Sequence, residues 1–126
     1  MVKIKFIFAL SSLIVLCALP IKSFANIENA VQCYEDQKYS CAFDNFKKEF
    51  DLGNYYDGIV PYYLGELYYK GNGAEKDINL GAALMTLAYT TTSYGDIKFR
   101  SSTNLAWGYA NTIGIRDKEK AAYWAN

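Results

Sequence analysis

The chain has 126 residues, thirteen basic and thirteen acidic side chains, three cysteines, twelve tyrosines and no histidine. With no basic stripe and no net charge, it lacks the electrostatic footprint of a nucleic-acid or anionic-lipid binder. Without histidine it lacks the commonest general base and both the Ser-His-Asp and Cys-His arrangements. Abundant aromatics, with Pro20 and Pro61 the only prolines, argue for a packed helical body rather than a disordered tail.

Residues 1–25 read as an export signal. Lys3 and Lys5 make a positive start, Phe6 to Leu19 is apolar except for Ser11 and Ser12, and Ser23-Phe24-Ala25 supplies the small residues a signal peptidase reads. Pro20 and Lys22 end the run short of the roughly 20 apolar residues that a membrane span requires. Leu16 precedes Cys17 where a lipoprotein signal would place a small residue. The expected mature chain, 26–126, is one small domain of the periplasm or beyond, with no membrane insertion after cleavage. Losing Lys3, Lys5 and Lys22 leaves it mildly acidic.

Helical punctuation recurs along this mature chain. Ala30, Val31 and Tyr34 give a short 3–4 pattern that ends near Asp36-Gln37-Lys38. Ser40 is the expected N-cap of a second helix with Ala42, Phe43, Phe46 and Phe50 on one face, stopped at Gly53-Asn54. Pro61 fits the first turn of a third, where a missing N–H costs nothing; Leu64, Leu67 and Tyr68 are its stripe, and Gly71-Asn72-Gly73 ends it. Asp77 caps a fourth, with Leu80, Leu84, Leu87 and Ala88 as the buried stripe. Thr90 to Gly95 reads as a long loop. A fifth helix runs from about Ile97 or Ser101 to Asn111, and Asp117 caps a sixth, Lys118 to Asn126. That last helix is short and lacks a polar cap, so the pattern predicts either a truncated chain or a cover over the final helix.

Two stretches repeat. Tyr63-Leu64-Gly65-Glu66-Leu67-Tyr68-Tyr69-Lys70-Gly71-Asn72-Gly73 with Asp77 returns 41 residues later as Leu105-Ala106-Trp107-Gly108-Tyr109 with Gly114 and Asp117. A period near 40 marks stacked helical repeats. The first copy resembles the Sel-1-like repeat, a relative of the tetratricopeptide repeat, whose pattern runs roughly L-G-x-x-Y-x-x-G-x-G with a later Asp, Lys-Ala and Trp. The second copy departs from it at Ala106 and Thr112 but keeps Lys120-Ala121 and Trp124. The first hairpin fits only the looser tetratricopeptide pattern. The resemblance implies an all-α, right-handed α/α solenoid of about three helix hairpins (26–53, 57–93 and 97–126). It also implies a non-catalytic protein-interaction module or adaptor of the cell envelope, with an unidentified protein or peptide partner. A peptidoglycan or glycan ligand, or a carboxylate-dependent hydrolase, is the alternative.

Carried over by position, the concave groove would be lined by Ile27, Val31 and Tyr34, then Tyr62, Glu66, Tyr69 and Lys70, then Thr103 and Trp107. The competing expectation is that these aromatics pack one repeat on the next. No catalytic residue is assigned: Glu35, Asp36, Asp44, Glu49 and Asp51 sit beside lysines and read as solvated helix surface. Cys33 and Cys41, an even pair flanking the first helix connection, are expected to form a disulfide. Zinc would need two further ligands that the chain does not offer, so no metal or other cofactor is expected.

Overall fold

The computed structural model describes residues 24–112 and 114–126; residues 1–23, most of the expected leader, lie outside the described residues. Six α-helices follow in order: α1 Phe24–Glu35, α2 Tyr39–Asp51, α3 Ile59–Lys70, α4 Ile78–Thr91, α5 Gly95–Asn111 and α6 Lys118–Ala125. The described residues contain no strand. Consecutive helices pack on one another, and α3 also touches α5.

Local chemistry accounts for most of the helix ends. The Asp77 carboxylate accepts the Leu80 backbone N–H at 2.9 Å, and Asp117 accepts those of Glu119 and Lys120, each at 3.0 Å. These are the N-caps that the sequence predicts. Two ends differ from expectation. Helix α2 starts at Tyr39, with Lys38 at the cap position and no side-chain cap, so Ser40 lies inside the helix. Helix α4 continues to Thr91, where the Thr90 and Thr91 hydroxyls donate to the Leu87 carbonyl at 3.0 and 2.8 Å. With those hydroxyls satisfied by the preceding turn, the threonine run extends the helix, and only residues 92–94 connect it to α5.

Helices α3 and α4 make the closest contact. A Cβ on Gly65 would stand 2.9 Å from the Gly81 carbonyl oxygen, and one on Gly81 would stand 2.8 Å from the Gly65 carbonyl oxygen. The two backbones therefore touch where neither has a side chain. Further along, Gly58 lies against Ala88 and Thr92, so the pair is antiparallel. This contact also corrects the α4 stripe. Gly81, Leu84, Met85 and Ala88 are buried, whereas Leu80 keeps 39% of its surface, because Gly81 occupies the position facing α3.

The main core lies among α1 to α4. Phe46, Leu64, Leu67 and Val60 are fully buried in it, with Ile27, Ala30 and Ala42. Aromatic contacts join the first helix pair to the second. Phe46 stacks on Tyr63 at 5.1 Å, and Phe43 meets Tyr68 edge-on at 5.4 Å. Gly73, at φ 73°, carries the α3–α4 loop so close to α2 that a Cβ there would be 2.4 Å from the Tyr39 carbonyl oxygen. A smaller cluster of Ala82, Met85 and Leu105, backed by Tyr109 and Trp124, joins α4, α5 and α6.

The Sγ atoms of Cys33 and Cys41 are at disulfide distance, with Cα atoms 5.9 Å apart, joining the end of α1 to the start of α2. That Cα spacing lies within the range of about 4.4–6.8 Å that a bridge requires.

Two substitutions test this packing. Gly65→Leu should destabilise by about 1–3 kcal/mol or more, because the added side chain meets α4 backbone that cannot move independently. An unchanged urea midpoint would show that the contact is not close. Ser101 is fully buried and its hydroxyl has no partner, while the residue 41 positions earlier is the buried Val60. Ser101→Val should therefore stabilise the fold by roughly 1 kcal/mol, since an unsatisfied buried hydroxyl costs about 1–3 kcal/mol. A lowered melting temperature would argue against it.

Candidate binding groove between α3 and α5

Positions 59, 63, 66 and 70 of α3 fall three and four residues apart, and so do positions 96, 100, 103 and 107 of α5. Each set shares one helix face. The two faces meet along a valley. One end is a groove of about 320 Å³ lined by Glu66, Tyr69 and Lys70 from α3, Thr103, Asn104 and Trp107 from α5, and Met85 at its floor from α4. Trp107 is 61% exposed, so its indole is largely available to solvent.

Glu66 is the polar centre of this groove, and it is buried. Its Oε1 accepts from Asn104 Nδ2 at 2.7 Å, and its Oε2 accepts from Lys70 Nζ at 3.1 Å and from the Tyr34 hydroxyl. A buried carboxylate is tolerated only when paired and hydrogen-bonded, and these three donors meet that condition. The donors come from α1, α3 and α5, so the carboxylate ties three helices together. Burial first, and then the hydrogen bond to Glu66, push the Tyr34 hydroxyl well above the ordinary phenol range.

The positions expected to line the groove do not all do so. Glu66, Tyr69, Lys70, Thr103 and Trp107 come together, joined by Met85 and Asn104, which the sequence reading missed. Tyr62 does not join them: it is 4% exposed and packs with Ala88 of α4 and Ile97 of α5. It lies on the inner side of α3, where the neighbouring helices close over it. Its own burial, followed by the Glu66 charge, pushes its hydroxyl up to about 12, with Arg100 opposing. Ile27 is likewise a core residue at 5% exposure. Tyr34 stands behind the groove as the donor to Glu66 rather than on its wall. Tyr69 belongs to both readings: its Cβ lies against Gly81, its hydroxyl bonds the Thr112 hydroxyl, and part of it faces the groove.

Among the acidic residues read as solvated surface, Glu35, Asp36, Asp44 and Asp51 are exposed and Glu49 is not. At 5% exposure Glu49 accepts from Asn54 Nδ2 at 2.8 Å, and it also hydrogen-bonds Tyr56. It thereby fastens the α2–α3 connection to α2. The acid followed by Asn54 five residues later was the available signal, hidden among neighbouring charges. Among the described residues, no group of three or more His, Cys, Asp or Glu side chains could hold a metal ion. No described helix is long and apolar enough to cross a membrane.

The chain matches no protein-family model, no curated protein and no solved structure.

The buried phenols give a pH test. Tyr34 and Tyr62 keep their protons in the fold at pH values where the unfolded chain, with phenols near 10, has released them. Native stability should therefore be level up to about pH 9.5 and fall as the pH rises through about 10 to 12, because the native state then binds more protons. Urea midpoints measured across that window should decline, and decline less in Tyr34→Phe. Equal slopes in both proteins would remove Tyr34 from the account.

Proposed function

We propose that the chain is an exported, non-catalytic interaction module of the cell envelope that binds a protein segment in the groove between α3 and α5. The three helix pairs are read as a right-handed solenoid of the Sel-1-like kind. The 41-residue repeat and the antiparallel α3–α4 pair with its two glycines support that reading. A disulfide-distance cysteine pair and the absence of a membrane-spanning helix among the described residues are compatible with export.

The observation that carries the binding reading is the groove itself. It pairs an exposed indole with an apolar floor and a fixed polar centre, the composition of a recognition surface. Glu66 is the only acid on its wall, and both of its oxygens already accept hydrogen bonds. The paired carboxylates of a glycosidase require a second acid, and the groove wall has none. A glycan ligand remains the second reading, favoured by the exposed rings of Trp107, Phe99 and Tyr123.

Panning a random dodecapeptide display library on the mature chain tests the proposal, alongside co-sedimentation with isolated cell wall. Peptides captured by wild type should bind Trp107→Ala at least about 2 kcal/mol more weakly, as for a desolvated aromatic anchor. Lys70→Ala should cost under about 1 kcal/mol, since its ammonium is half exposed. Capture of wall fragments and no peptide would replace the peptide by a glycan. Capture of neither would sink the groove.

A further inference from the structure

The valley between α3 and α5 holds a second cavity. At its other end, Val31, Ile59, Tyr63, Tyr94, Asp96 and Ile97 line a space of about 310 Å³, nearly equal to the first. The sequence reading placed only Val31 near a groove. Tyr94 is 52% exposed, so this pocket, like the first, has an accessible aromatic rim. Each volume lies at the lower end of the range of about 300–1,000 Å³ for small-ligand sites. Each therefore suits a single anchoring side chain.

The separation of the pockets follows from the helices. Ile59 and Ile97 mark one pocket, and Glu66 and Asn104, hydrogen-bonded to each other, mark the other. The offset is seven residues on both helices, or about 10.5 Å at 1.5 Å per residue. Between the pockets stands Arg100, half exposed, its Nε 3.1 Å from Asp96 and its side chain hydrogen-bonded to Tyr62. Those two contacts occupy only part of a five-donor guanidinium.

We infer that the valley is a two-pocket ruler for a polyproline-II segment carrying apolar side chains at positions i and i+3. This rests on the groove reading above and specifies its ligand. In polyproline II, residues i and i+3 point the same way, about 9.3 Å apart, which matches the pocket spacing. A β-strand puts same-face residues about 6.8 or 13.6 Å apart and fits neither value. A helix could span the pockets with i and i+7, but its i+3 and i+4 side chains would fall on Arg100 instead of an apolar hole. The backbone carbonyls of polyproline II have no internal partners, so they accept hydrogen bonds from the spare Arg100 donors. Proline-rich segments also dock on aromatic-lined grooves in general, and Tyr63, Tyr94, Tyr69 and Trp107 provide such walls.

The dodecapeptides enriched by panning are the first readout, and they should share two apolar positions three residues apart with prolines nearby. Synthetic proline-rich peptides with the pair spaced by three should bind about 10-fold tighter than those spaced by two or four. Tyr94→Ala, at an exposed position and checked for its helical spectrum, should abolish that preference while leaving a single-anchor peptide unaffected. Arg100→Gln should weaken all proline-rich peptides about 3-fold. Enrichment at a spacing of seven, or binding that responds to Trp107→Ala and not to Tyr94→Ala, overturns the ruler and leaves the groove standing. No enriched peptide at all overturns the groove, and the ruler with it.

Discussion

A carboxylate without water must be given partners, and the Glu66 carboxylate is the point at which three helices have to agree. Tyr34 from α1, Lys70 one turn along α3 and Asn104 from α5 all donate to it. Removing any donor would leave buried charge incompletely compensated, a cost larger than that of a surface pair. The register of α5 against α3 is therefore set by a polar contact rather than by area alone. That register in turn places Trp107 beside Tyr69 and Ile97 beside Ile59, which creates the two pockets. The same engagement removes Glu66 from acid–base work.

The apolar contacts explain why this polar tie can be short. Gly65 and Gly81 let α3 and α4 approach until backbone meets backbone, so α4 reaches under the groove and presents Met85 as its floor. Tyr63 stacks on Phe46 and meets Tyr34 edge-on at 4.9 Å, holding α1 where the Tyr34 hydroxyl can reach Glu66. The connections are fastened separately. Asp57 accepts from the Ser93 backbone N–H at 2.7 Å and from its hydroxyl, joining the α2–α3 and α4–α5 loops. Those hydrogen bonds hold the Asp57 carboxyl below the usual carboxylate range.

Features governed by local chemistry were the most legible in the sequence. Asp77 and Asp117 are caps, Gly71 and Gly73 take positive φ, and Pro61 sits in the first turn of its helix, because each outcome depends on a few adjacent residues. The helical class and the Cys33–Cys41 proximity followed from similar arguments. Sidedness was harder. Tyr62 and Glu66 are four apart on α3, and periodicity alone could not say which would be covered by a neighbour and which would edge the groove. Glu49 was misread because a buried acid and an exposed one look alike until Asn54 and Tyr56 fold back on it. The Tyr94 pocket depended on α5 starting at Gly95, and the threonine run before it concealed that start.

The repeat also explains how the same helix position acquires different roles. Shifted by 41 residues, Glu66 of α3 corresponds to Trp107 of α5, and Tyr62 corresponds to Thr103. In the earlier copy these positions lie against α5, so they carry a hydrogen-bonded carboxylate and a buried ring. In the later copy no described helix lies over them, and the same face presents an indole at 61% exposure beside a small, exposed threonine. A large aromatic in the open is an unfavourable choice for a purely structural surface, because its apolar area gains nothing from water. Replacing a tying residue by an anchoring one at the same register is the change by which a packing position becomes a binding position. It leaves the scaffold intact because the tie is already made one repeat earlier.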